Sequence, residues 1–285
     1  MTETLLAGTA STQSHRFHSS LIVGLALAGL PLLLAGIAFI WTPFDPLAVN
    51  VGDRLLPPLT GGHLLGTDHF GRDTLSQIAV GAHSSLLIAA AGTFTAMAVG
   101  VIFGAVAAMR GGAADDVVMR STDIMFAFPA VLLATILASK LGPGPIASVV
   151  AIGVWFIPSV ARITRASTLE IVDRPYVLVA KRYGLGGSRV FLRHVLPNIT
   201  GILAVQATTM FGLAILIEAA LSFLGLGTQA PIPSWGRMLR DAQGFLATNP
   251  LVSVWPGVAI AMTVLGFNVV GDALREFIDP RLRHE

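Results

Sequence analysis

Arg162–Asn198 reads RITRASTLEIVDRPYVLVAKRYGLGGSRVFLRHVLPN. It holds seven of the chain's 18 Lys+Arg, yet it lies between two apolar runs of membrane-spanning character. Arg at that density beside hydrocarbon marks a cytoplasmic loop. The stretch also has internal order. Pro175 suits the first turn of a helix, where its missing N–H costs nothing, and Asp173 just ahead can cap that turn. No Pro or Gly interrupts the chain from Tyr176 to Tyr183, and Gly184, Gly186 and Gly187 then break the helix. A second helix is expected from about Ser188, carrying Val190, Phe191, His194 and Val195 before Pro197. The first helix, roughly 15 Å long, is too short and too charged to cross a bilayer. It suits projection from the membrane and docking there. A loop whose Arg residues only fix topology is the alternative.

The rest of the chain is a polytopic membrane protein. Of its 285 residues 54% are hydrophobic and only 12% charged, about half the charge of a soluble domain, and the mean hydropathy is +0.75. The net charge of +2 gives no nucleic-acid footprint, because the basic residues gather on the loops of one side. There is no cysteine, which excludes disulfides and thiolate metal sites.

Residues 1–20 are a polar tail. Residues 21–41 are long enough for a first span of ~30 Å. WTPFD follows where a signal peptide would need a small-residue cleavage site, so the span is retained. Residues 42–78 form a polar outer loop rich in Pro, Gly and Asp. Further spans are expected at about 82–109, 124–138, 146–161, 199–221 and 252–270, six in all, within a core of residues 79–272. Residues 273–285 form a second tail. This layout puts 13 Lys+Arg inside against 5 outside and both termini in the cytoplasm. Gly100 and Gly104 have the spacing of close helix packing.

Few residues offer chemistry. Glu218 lies near the end of the fifth span, and an intramembrane carboxylate is a candidate proton relay or substrate contact. The expectation is plainer: an interfacial cap, or a pair with a loop Arg. Asn268 and Asp272 are expected to make interhelical hydrogen bonds and a helix-end network with Arg275. His63, Asp68 and His69, with His83 as a distant fourth, match no compact ligand spacing, and Gly66 and Gly71 point to turns instead. No phosphate-binding glycine loop, metalloprotease helix or nucleophile elbow is present. The spans are also nearly free of the buried ionisable groups that ion-coupled carriers use. For a transporter, these absences favour an external motor over an ion gradient.

The central stretch resembles the cytoplasmic loop of ABC importer permeases, in which Glu-Ala-Ala is followed after three residues by Gly, after nine by Ile, and after one more by Leu-Pro. Ala180, Gly184, Leu196 and Pro197 stand at those positions. Leu178, Val179 and His194 depart from the pattern. Four other segments resemble one branch, the second permease subunit of dipeptide, oligopeptide and nickel importers. They are HLLGTDHFGRDTLSQIAVGAHSSL (63–86), DDVVMRSTDIMFAFPAVLLA (115–134), EAALSFLGLGTQAPIPSWGRML (218–239) and GFNVVGDALREFIDPR (266–281).

The resemblance implies an all-α type I importer permease fold with six transmembrane helices. It implies three kinds of partner besides the lipid of a prokaryotic cell membrane: a second homologous permease, two ATPase subunits, and an extracytoplasmic substrate-binding protein. Nucleic acid is not among them. ATP and Mg would be bound by the ATPases, with no cofactor and no enzyme activity in this chain. The ATPase would dock on Tyr176, Ala180, Lys181, Arg182, Gly184, Leu196 and Pro197, with Tyr176, Val177 and Ala180 as an apolar patch. The loops 42–78 and 222–250 would meet the binding protein. The expected cargo is a di- or oligopeptide. Nickel or glutathione is the alternative within the branch, and a self-sufficient carrier using Glu218 is the alternative outside it.

Overall fold

The computed structural model describes residues 21–278. The expected tail 1–20 with Arg16, and Arg281 and Arg283, lie outside them. Among the described residues the chain is helical. Its helices are α1 (Leu21–Ala38), α2 (Thr74–Arg110), α3 (Gly112–Ala127), α4 (Ala130–Leu141), α5 (Pro145–Val172), α6 (Pro175–Arg182), α7 (Gly187–Val190), α8 (Leu196–Phe223), α9 (Trp235–Ala242) and α10 (Leu251–Ile278).

Among the described residues five helical stretches are long and apolar enough to cross a membrane: α1, α2, α5, α7 running into α8, and α10. The expected span at 124–138 is broken, because α3 and α4 meet at 89°. The break has a local cause. Pro129 disfavours helical dihedrals at the residue before it, and Phe128 is extended (φ −90°, ψ 122°).

The helices also outrun their apolar cores. α5 was expected to stop near residue 161 and continues to Val172. Arg162 and Arg165 therefore sit on a helix, not in a loop, and both hold α3. Arg165 makes a two-pronged pair with Asp115, and Arg162 meets Asp123 at 2.6 Å while lying over the Phe126 ring. Pro197 does not end a helix either. A π-helical turn, Phe191–Val195, carries α7 into α8. The Leu196 N–H reaches the Phe191 carbonyl, and this widened turn absorbs the proline that an α-helix interior would reject.

α2 and α5 form the central pair. A Cβ on Gly92 would stand 2.6 Å from the Ile152 side chain, one on Gly100 2.5 Å from Val160, and one on Gly104 2.6 Å from Thr164. Only hydrogen side chains let these backbones meet, as the Gly100/Gly104 spacing implied. α8 and α10 close up in the same way, where a Cβ on Gly271 would stand 2.7 Å from the Thr208 hydroxyl. α9 folds back between α2 and α8, and its Trp235 is fully buried in the main apolar core.

Candidate functional site

Three places carry the polar residues of interest: the α6 corner, the α8–α9 junction, and the loop ahead of α2.

The α6 corner begins with Arg174 in extended conformation (φ −67°, ψ 143°) and Pro175 at the first helical position. Asp173 does not cap α6. It is the C-cap of α5, and α6 has no side-chain cap. The far end closes as a Schellman motif. Leu185 N–H donates to the Ala180 carbonyl at 3.3 Å and Gly184 N–H to the Lys181 carbonyl at 3.0 Å. Gly184 has φ +80°, which a side chain strains. A Cβ there would otherwise meet open space.

Val177 belongs to the inside of this helix, not to an outward patch. It is fully buried against Val172, Val190, Phe191 and Val195. The outward face is made instead by Tyr176 (48% exposed), Leu178, Val179 and Tyr183 (83% exposed), beside exposed Lys181 and Arg182. Ala180 and Leu196 are half-buried, and Pro197 is exposed. The corner is thus an anchored helix that presents apolar side chains and positive charge to its surroundings.

Glu218 pairs with no Arg among the described residues. It is fully buried, and its Oε1 accepts from the Ser222 hydroxyl at 2.7 Å. Its Oε2 has no partner among the described residues. α9 produces this burial. Trp235 N–H donates to Ser85 Oγ at 3.2 Å, and its indole N–H donates to the Ile78 carbonyl at 3.0 Å. A Cβ on Gly236 would collide with the Ala219 backbone. The SWGRML segment therefore belongs to the core and is not an exposed loop, although Arg237 and Arg240 remain partly accessible. Asn268 lies over Gly212, where a Cβ would come within 3.2 Å of its Oδ1. Asp272 is exposed and makes no ion pair with Arg275 among the described residues.

A Glu218→Gln protein should retain the Ser222 bond and wild-type transport. Glu218→Ala should lose about 2–4 kcal/mol to the cavity and the stranded hydroxyl. Thermal midpoints and uptake of both variants check this. Loss of uptake in a stably folded Gln variant would return the carboxylate to the transport path.

In the outer loop, Asp73 caps α2 through Ser76 N–H at 2.7 Å and meets His63 Nδ1 at 2.9 Å. Asp68 holds Arg72 at 2.7 Å and Gln77 at 2.9 Å. These carboxylates are spent on the loop itself. Among the described residues no cluster of His and carboxylates could hold a metal. His83 lies elsewhere and donates Nε2–H to the Ala35 carbonyl near the end of α1. His69 stacks on Phe245, and burial holds its pKa below the ordinary imidazole value. Asp68 and Asp241 oppose that shift, while Arg72 and Arg54 add to it. A lowered histidine pKa means the folded loop prefers the neutral ring. Its contribution to stability is therefore present above the unfolded value near 6.5 and lost as pH falls below it. Proteolysis of the 42–73 loop should quicken on acidification, and His69→Phe should flatten that dependence.

A family model described as "Binding-protein-dependent transport system inner membrane component" matches residues 100–284. The chain belongs to this family of ABC importer permeases. Among curated relatives, a dipeptide transport system permease of Alkalihalophilus pseudofirmus is 38% identical, covering 92% of this chain and 86% of that protein. A glutathione transport system permease of Pectobacterium atrosepticum is 37% identical over 94% of this chain and 89% of its own length. The nickel transport system permease of Escherichia coli K12 is 36% identical over 92% and 95%. Among solved structures, the inward-facing MetNI methionine ABC transporter superposes with a TM-score of 0.58 at 17% identity, covering 70% of this chain and 94% of that one. The fold is that of a type I importer permease, the chain is a multi-pass membrane protein, and its family works as the permease component of ABC importers.

Proposed function

We propose that this permease forms half of a peptide translocation path, driven by ATPase subunits that dock on the 162–198 region. The outward face of α6 carries the proposal. A short helix pinned by Val177 and displaying Tyr176, Leu178, Val179 and Tyr183 beside Lys181 and Arg182 suits a helix-in-groove contact. Its anchor in the core lets motion of the docked subunit pass to α5 and α8 as rigid bodies. ATP acts on this chain only through the different affinities of its two states. A second homologous permease completes the path, two ATPases lie on the cytoplasmic side with both termini, and a binding protein meets the 42–73 loop.

Di- or oligopeptides are the favoured cargo, since dipeptide permeases stand among the relatives at 38–39% identity. Relatives named for glutathione and nickel match nearly as well, so selection belongs chiefly to the binding protein. Affinity purification from the native membrane in mild detergent tests this reading. A second permease, ATPases and a binding protein that retains a peptide are expected. A retained nickel chelate would change the cargo, and repeated recovery of this chain alone would remove the proposed assembly.

A further inference from the structure

α1 packs on α10 at Gly24, beside Val269 and Val270, and at Ala28, and on α2 at Ala35, and a crevice opens between the last two contacts. At the first of these two, Gly266 of α10 lies against the Ala28 backbone so closely that a Cβ would collide. At the other, His83 of α2 holds the Ala35 carbonyl and lies tilted at 49° against the Phe39 ring, with centroids 4.0 Å apart. The gap between these points is a crevice of about 160 Å³ walled by α1, α2, α9 and α10. Its lining is almost wholly apolar and includes Leu30, Leu34, Ile78, Trp235, Trp255 and Ala259.

Three observations say what fills it. The rim residues Leu30 and Val258 are 47% and 42% exposed, on helices that cross the membrane, so the crevice opens toward lipid rather than water. A dry apolar cavity of about 150 Å³ accepts benzene, so this one matches a run of about six carbons. Trp255 lines the crevice, yet its indole N–H is buried with no acceptor among the described residues. A buried donor of this kind is costly unless something supplies an oxygen. Trp255 also lies one turn inside the start of α10, near the interfacial depth at which tryptophan meets the polar ends of lipid chains.

We propose that this crevice is a binding site for one acyl chain of a membrane phospholipid, whose ester carbonyl accepts from the Trp255 indole N–H. The methylenes next to that carbonyl fill the space between α1 and α10. α1 is then held to the core by protein contacts at Gly24, Ala28 and Ala35 and by lipid along the crevice between the last two.

The test uses the chain in its importer assembly, reconstituted in dioleoyl phosphatidylglycerol, extracted into lauryl maltoside and washed. Native mass spectrometry then counts retained phospholipid. The wild type should keep a phospholipid on this chain. Ala259→Leu and Leu34→Phe, which fill the crevice from opposite walls, should each lower retention about tenfold. Trp255→Phe, which keeps an aromatic wall but removes the donor, should lower it several-fold. Equal retention in the filled variants would place the lipid elsewhere and overturn the proposal. So would a wild type that sheds all lipid while the filled variants melt higher, which is the mark of an empty cavity. If a filled variant fails to assemble, Trp255→Phe decides the question, and unchanged retention in that protein sinks the proposal.

Discussion

A chain carrying Tyr176→Asp together with Tyr183→Asp is expected to fold and insert normally while losing ATP-driven uptake almost completely. Both side chains are largely exposed, and neither joins the cluster around Val177, so the thermal midpoint should stay within about 1 °C of wild type, as for surface changes generally. The docking surface, however, loses two large amphipathic rings and gains two charges beside Lys181 and Arg182. Interface tyrosines commonly contribute about 2 kcal/mol each when truncated, so docking should weaken on the order of a hundredfold or more. Co-purification of the ATPase and uptake in reconstituted vesicles read the effect directly. Val177→Asp is the contrasting control. It places a carboxylate in an apolar cluster, and it should lower the midpoint sharply rather than spare it. Gly184→Trp is less informative than the tyrosine pair, because φ +80° at that position makes any side chain damage the Schellman cap as well as the surface. If the Tyr176/Tyr183 double variant bound the ATPase and transported at wild-type levels, α6 would not be the docking element.

The apolar runs were legible because hydrocarbon imposes them: each crossing helix had to spend some 20 residues without charge. α2, α5, α8 and α10 therefore fell where the runs lay. The α6 corner was equally plain, since Pro175 and Gly184 mark its ends through backbone constraints that need no tertiary partner. The errors have a common form. Arg162 and Arg165 ended the apolar run near residue 161, but α5 continues because Asp115 and Asp123 on α3 meet those charges. Pro197 signalled a stop, but a π-helical turn accommodates it. Val177 was assigned outward with Tyr176, although one residue along a helix turns the side chain by about 100°. The expectation of a loop Arg for Glu218 fails for the same kind of reason, since Ser222 is its partner. Polar letters in EAALSFLGLGTQAPIPSWGRML suggested an exposed loop, whereas the pairing of Trp235 with Ile78 and Ser85 spans about 150 residues of sequence. Local periodicity carries no trace of such a partner. Gly236, which lets α9 come so close to Ala219, is the available signal.

That junction yields the second large effect. Trp235→Ala should cost about 3–5 kcal/mol, the range for removing a buried aromatic from a packed core. It also leaves the Ile78 carbonyl without its indole donor and opens the cover over Glu218. Were SWGRML a surface element that meets a binding protein, the same change would leave the thermal midpoint alone and weaken only that docking. The two accounts separate on one measurement, the midpoint of the purified chain in detergent, where the core position predicts a fall of several degrees. Trp235→Phe should recover most of the loss, because it restores apolar volume and forfeits only a hydrogen bond of about 1 kcal/mol. Gly236→Val should be as harmful as Trp235→Ala for the opposite reason. Its side chain has no room against the Ala219 backbone, so α9 must lift away, and with it the cover that keeps Glu218 from water. A Gly236→Val protein with an unchanged midpoint would mean that α9 is not held against α8, and the burial of Glu218 would then lose its cause.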